Sequence, residues 1–384
     1  MRLSHLSHPA GQADYDGQAD ALLGAWRAGD EDAFRVFVAC HPRFREPDLP
    51  WKPRAAADAE ARQAQFDLDD ARLVVARAYD YGSWPDLVGH IAAAADPEGP
   101  VGRFETAVEA VVAGDLAAVT ALLARDPELV RARSARVTCF NPPEHRATLL
   151  HYVAANGVEN FRQRTPPNAV DIARALLDAG ADPDALANMY GGECTTMAML
   201  VSSSPPADAG VQVPLVHLLA DYGASVNPHG RGAWTSPVMT ALVFGFVDAA
   251  DALVRRGASI DSLAAAAGLG RADDVRMLLP TSDTADRHRA LALAAQNGQA
   301  EAVGVLLDAG EDPNRFNPDG VHSHSTPLHQ AALAGHDDVV RLLVERGARL
   351  DLRDRIWDGS PLGWALHGGR ETTAAWLRGR GGAE

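Results

Sequence analysis

Few stretches of this 384-residue chain combine residue types and spacings that could support chemistry. His322-Ser323-His324 has the H-x-H spacing that sets two imidazoles on one face of an extended run. A metal there would need further ligands from distant stretches, with Cys194, Glu193 and His145 as the candidates. Histidines hydrogen-bonded within their own loop are the competing reading, and no metal site is assigned. Tyr190-Gly191-Gly192-Glu193-Cys194 has two glycines that either let backbone N–H groups approach an anion or form a turn with positive φ. Arg162-Gln163-Arg164 is a local basic cluster suited to an acidic group, or a surface loop kept soluble by its charge. Ser202-Ser203-Ser204 lacks the G-x-S-x-G surroundings of a nucleophile elbow, and Gly268-Leu269-Gly270-Arg271 follows no strand, as a dinucleotide loop would. No nucleophile stands at a recognisable spacing from a base. No catalytic residue and no cofactor are assigned, and whether the chain is an enzyme stays open, with the balance against it.

Composition narrows the partners. Lysine plus arginine number 35 against 51 acidic residues, a formal charge of −16 that opposes nucleic-acid binding. Lys52 is the single lysine, which reads as genome composition. Cys40, Cys139 and Cys194 are widely spaced and odd in number, so they make neither a disulfide framework nor a C-x-x-C site. No signal-peptide core and no run of 18 apolar residues is present, so a cytoplasmic protein without membrane contact is expected.

The elements that must position these residues are short helices with written starts and stops. Thr326 to Leu350, TPLHQAALAGHDDVVRLLVERGARL, gives one helix from the Thr326 cap and Pro327 to Gly335. A second runs from Asp337 to Gly347, with Val339, Val340, Leu342 and Leu343 as its buried side. A leucine followed four residues later by glycine recurs with glycines at 180, 223, 257, 310, 347 and 381, at intervals of 43, 34, 53, 37 and 34. The long interval conceals a short unit, residues 262–280, that lacks a long loop. Helix starts repeat too, at Thr148-Leu149-Leu150-His151, Thr195-Thr196-Met197, Ser236-Pro237-Val238 and Ser360-Pro361-Leu362. With the pair at 104–124, about eight helix pairs are counted.

Thr326-Pro327-Leu328-His329-Gln330-Ala331 closely resembles the T-P-L-H-x-A signature of the ankyrin repeat, here of a bacterial type with an added N-terminal helical segment. The resemblance covers about residues 103–384. It implies an all-α ankyrin-repeat solenoid: stacked helix pairs, long loops projecting as β-hairpin fingers, and His151 and His329 bridging finger backbone across repeats. The expected organisation is a disordered tail over 1–16, an N-terminal helical cap over 17–97 and a repeat domain over 98–384. Insertions at 158–168 and 205–212 should lie side by side on one edge.

In the family resembled, partners bind the concave groove made by fingers and first helices. On the fingers stand Tyr190 and Glu193, Trp234, Trp357 and Asp358, and His322 and His324. Each tryptophan is either an anchor or packs on the neighbouring finger. The leading expectation is a monomeric, non-catalytic scaffold that binds a protein partner there. The runner-up is a small-molecule site or enzyme between the 158–168 insertion and the fingers, built from Tyr190, Glu193, His145, Arg162, Arg164, His322 and His324.

Overall fold

Ser83, Thr195, Ser236, Ser262 and Ser360 each stand at a helix N-cap and accept the backbone N–H three residues on. The side-chain oxygen satisfies a donor that the helix leaves orphaned, which fixes where each short apolar run starts. The computed structural model describes residues 3, 6, 8–45, 54, 57–155, 157–189, 191–232 and 235–384. The chain forms two compact units, residues 1–225 with 229–232 and residues 226–228 with 233–384. No helix among the described residues is long and apolar enough to cross a membrane.

The first unit opens with five helices: α1 (Gln12–Arg27), α2 (Glu31–Cys40), α3 (Ala57–Gln63), α4 (Leu68–Ala78) and α5 (Trp84–Ala94). They close on their own core, in which Leu22, Phe37, Val74 and Leu87 are fully buried. Phe37 stacks on Phe66 with centroids 4.3 Å apart, and Trp26 meets Phe66 edge-on at 5.0 Å. Burying each such side chain stabilises the fold by about 1.5–3 kcal/mol. Of the tail expected over 1–16, residues 1, 2, 4, 5 and 7 lie outside the described residues, and the expectation is corrected for the later part. Helix α1 already begins at Gln12, Tyr15 is in the core, and the Leu6 N–H donates to the Tyr79 hydroxyl at 3.0 Å.

Three helix pairs follow in the same unit: α6 (Pro100–Ala113) with α7 (Leu116–Arg125), α8 (Leu149–Val153) with α9 (Ala169–Asp178), and α10 (Thr196–Leu200) with α12 (Gln212–Asp221). The stretch 96–100 is a turn into α6, and helices to either side stay packed, with His90 Nε2 3.1 Å from Glu105 Oε1. The first insertion folds as a 3-10 turn, Asn160–Arg162, and the second as α11 (Ser204–Asp208). Between α9 and α10 lies an antiparallel hairpin, β1 (Ala187–Met189) and β2 (Gly192–Cys194), in the register Ala187 to Cys194. Among the described residues this is the one finger with a strand ladder; finger 131–147 is narrowed by a single bridge, Val137 to Glu144.

The second unit holds five pairs: α13 (Pro237–Val243) with α14 (Val247–Arg255), α15 (Leu263–Gly268) with α16 (Ala272–Leu278), α17 (Thr284–Gln296) with α18 (Ala300–Asp308), α19 (Pro327–Ala334) with α20 (Asp337–Glu345), and α21 (Pro361–His367) with α22 (Glu371–Gly379). Helices α15 and α17 meet through alanines 264–267 and 290, 292 and 294, all buried, because side chains this small let helix backbones approach. Only a 3-10 turn, Leu279–Thr281, connects α16 to α17, in place of a finger. Gln296 and Asn297, at the end of α17, donate to the Val243 and Leu242 carbonyls at 2.6 and 3.0 Å, satisfying the open end of α13.

Candidate functional site

In the second unit two fingers rise over the first helices α19 and α21. One of them is held by a single buried polar side chain. Asp354 accepts the backbone N–H groups of Ile356, Trp357 and Gly359 at 2.8, 2.7 and 2.8 Å, and the Trp364 indole N–H at 2.9 Å. Burial pushes its carboxyl up, but these donors outweigh burial and hold it below the ordinary carboxylate value. The knot leaves no room at Gly359, where an added Cβ would lie 2.9 Å from Asp354 Oδ2 and 3.0 Å from the Trp364 ring. It also turns Trp357 outward, 58% exposed. His329 ties α19 to this finger: its Nδ1 accepts the Thr326 N–H at 3.3 Å and its Nε2 donates to the Gly359 carbonyl at 3.2 Å. Burial pushes the His329 imidazole down to about 4, so it is neutral at pH 7.

The other finger, residues 311–325, is closed by the Asn317 N–H on the Ser325 carbonyl at 2.8 Å. His322 adopts a left-handed φ of 55°, and its Nε2 donates to the Val243 carbonyl at 3.1 Å. The finger therefore reaches back to the end of α13, over the place where the short pair supplies no finger of its own. Its next imidazole, His324, meets Trp357 edge-on at 5.1 Å and tilts over Trp364 at 5.6 Å. Trp357 and Trp364 lie 6.0 Å apart.

Between these rings, with Gln330, Leu333 and His367 from the helices below, lies a groove of about 660 Å³. Among the described residues, no aspartate, glutamate, lysine or arginine lines it. Burial, reinforced by His322, pushes the His324 imidazole down. The surface is aromatic and without permanent charge, suited to an apolar protein segment with a few hydrogen-bonding groups.

The structure brings together His322, His324 and Trp357 from the sequence-derived set, with Asp358 exposed beside Trp357. It also adds Trp364. Laying Ser360-Pro361-Leu362 on Thr326-Pro327-Leu328 puts Gly363 in the place of His329 and Trp364 in that of Gln330, a small-then-large substitution on the groove face. Among the described residues, no three His, Cys, Asp or Glu side chains converge as a metal site would require.

The remaining expected residues lie in the first unit or outside the described residues, as do Tyr190 and Trp234. Glu193 is on β2, its N–H donating to the Arg231 carbonyl at 2.8 Å and its carboxylate 3.7 Å from Arg231 Nε. Arg164 is exposed. Arg162 and His145, expected in a binding site between the 158–168 insertion and the fingers, are both buried. Arg162 is 1% exposed, and its guanidinium donates to Glu159 at 2.9 Å and to Glu105 and Glu109 at 2.7 Å. His145 is fully buried, with Nδ1 3.5 Å from Glu159 Oε1. Tyr152 donates to the same Glu159 oxygen at 2.5 Å, and Arg136 Nε stands 3.2 Å from Oε2. Burial opposes the charges on Glu105 and Glu159, but the Arg136 and Arg162 cations outweigh it and hold both carboxyls well below the usual range. Sequence reasoning missed Glu105, Arg136 and Glu159, which meet only in three dimensions.

A family model described as ankyrin repeats, in three copies, matches residues 263–354. Cyclin-dependent kinase inhibitor 2A of Homo sapiens is 34% identical over 129 residues, 32% of this chain and 80% of that protein. Cyclin-dependent kinase 4 inhibitor B of Homo sapiens is 34% identical over 127 residues, 32% of this chain and 88% of that protein. Rabankyrin-5 of Mus musculus is 26% identical over 329 residues; the match spans 70% of this chain and 27% of that longer protein.

Proposed function

The chain belongs to the ankyrin-repeat family, and from that premise we propose that it is a non-catalytic scaffold that binds a protein partner through the concave face of its second unit. The observation that carries this reading is the uncharged aromatic groove, in which an exposed tryptophan stands over a buried one between two anchored fingers. Exposed aromatics of this kind are the usual energetic centre of a protein interface. Two of the relatives are named as inhibitors of kinases, and a protein target is in keeping with a binding scaffold. The identity of the target does not carry over with the likeness.

A photo-crosslinking residue at position 357 tests the reading against the same residue at 277, an exposed methionine on α16. A defined protein adduct from host extract at 357, absent at 277 and lost when Trp364 is changed to phenylalanine in a still-folded protein, is the expected outcome. Equal adducts at both positions, or none at either, would remove the groove as the partner site.

A further inference from the structure

The first unit contains a polar cleft independent of the groove. Its walls include His8, Tyr15, Tyr81, His90, Glu105 and Arg136, around a cavity of about 70 Å³. Glu105 and Arg136 are 2% and 7% exposed. His90 Nε2 stands 3.1 Å from Glu105 Oε1, and Arg136 Nε stands 3.9 Å from that oxygen and 3.2 Å from Glu159 Oε2, but none of these approaches is aligned as a hydrogen bond. All three atoms are buried with no hydrogen-bond partner. Arg162 differs, since all three of its guanidinium nitrogens are spent on Glu159, Glu105 and Glu109. An acceptor, a donor and an imidazole nitrogen thus face one small space unsatisfied, a condition that native interiors relieve with a ligand or ordered water.

The chain also places an imidazole of its own on the cavity wall, His8. His8 is half-buried, with Nε2 3.5 Å from the Thr106 hydroxyl, and burial pushes it down, against the pull of Glu105. A ring nitrogen that donates and one that accepts are also what the three orphan atoms lack. Beside His8 the cavity has space for only about two waters; without that side chain it has space for a five-membered ring. Tyr15 and Tyr81 offer flat apolar walls.

We propose that this cleft is a binding site for a small planar molecule that donates one hydrogen bond and accepts another, of the imidazole or primary-amide class, with the His8 side chain taking up the space such a molecule needs. The donor goes to Glu105 Oε1, which Arg136 and Arg162 keep ionised. The acceptor takes the Arg136 Nε–H. The alternative expected from the sequence is a small-molecule site between the 158–168 insertion and the fingers; this cleft lies instead between that insertion and the N-terminal helices.

The test is thermal unfolding of the full chain with His8→Gly, titrated with imidazole and with acetamide. Both probes are expected to raise Tm of the variant by roughly 2 °C at saturation, and to leave the unsubstituted chain unmoved. Sodium acetate, which accepts but cannot donate, is expected to leave the variant unmoved as well. Equal responses of variant and parent, no response of the variant, or an equal rise with acetate would each overturn the proposal. Should glycine at position 8 prevent folding, His8→Ala carries the same titrations with the same readings.

Discussion

Trp357 and Trp364 stand 6.0 Å apart and have opposite roles. Trp364 is 8% exposed, donates to Asp354 and lies against His324 and His329, so it belongs to the core of its finger. Trp364→Ala is expected to cost about 3–5 kcal/mol in urea denaturation, the usual penalty for truncating a buried aromatic. Trp357→Ala, at 58% exposure, is expected to leave the midpoint within about 0.5 kcal/mol of the parent. A reversed order would make Trp357 structural and deprive the groove of its anchor. Two neighbouring groups should then both lose stabilisation in acid, over different pH windows. Asp354 is held below the ordinary carboxylate value, so its stabilisation is present above the unfolded value near pH 4 and drains as pH falls through its lower folded value. Asp354→Asn should remove that acid limb from the stability profile. His329 is pushed down to about 4 while an unfolded imidazole takes its proton near 6.5. Its neutral form therefore favours the fold fully above pH 6.5, and the advantage shrinks as pH falls toward 4. Denaturation of His329→Gln at pH 7.5 and 4.5 checks this: the gap to the parent should narrow at the lower pH, and a constant gap contradicts the burial that the structure gives the ring.

At the scale of elements, the first insertion gives the sharpest contrast. Removing the Arg162 side chain leaves Glu105 buried without its strongest partner and Glu159 without one of its two cations, and breaking a buried pair in this way costs about 3–5 kcal/mol. Arg164, two residues on and exposed, should change stability by less than about 0.5 kcal/mol when made alanine. Similar losses at both positions would mean that the 3-10 turn does not aim Arg162 inward. This pair also marks how far a sequence can be read. Capping serines and threonines, glycine stops and leucine spacing are local signals, so the helix pairs and their boundaries were legible. Arg162-Gln163-Arg164 looks like a surface patch because the side chains that neutralise Arg162 stand up to 57 positions away in the chain. The groove was half legible. His322, His324 and Trp357 stand on recognisable fingers, but Trp364 enters through its ring packing, and the reach of finger 311–325 to Val243 follows from a missing finger one helix pair earlier. The N-terminal residues read as a tail because Leu6 and Tyr15 are too sparse to make a periodic pattern, though each packs on the core of the five helices.

At the scale of the whole chain, a repeat array gains stability from each helix pair and from each contact between neighbours, so nothing in the architecture requires it to unfold as one. The two units differ in what holds them. The first has an aromatic core of its own in helices α1 to α5 and a buried ionic network; the second rests on alanine-lined contacts between first helices and on the finger knots around Asp354. A lesion in one should then be felt first by its own amides. Arg162→Ala is expected to raise hydrogen exchange in α6, α8 and α9 while α19 to α22 keep the parent's rates. Leu343→Ala, a truncation at a fully buried position costing about 2–5 kcal/mol, is expected to do the reverse. Mass spectrometry of peptides from both units, under conditions where neither variant is globally unfolded, separates the outcomes. If each substitution accelerates exchange throughout the chain, the units share one cooperative transition. The small-ligand cleft at His8 and the aromatic groove would then be coupled through that transition, and a ligand at one would stabilise the other.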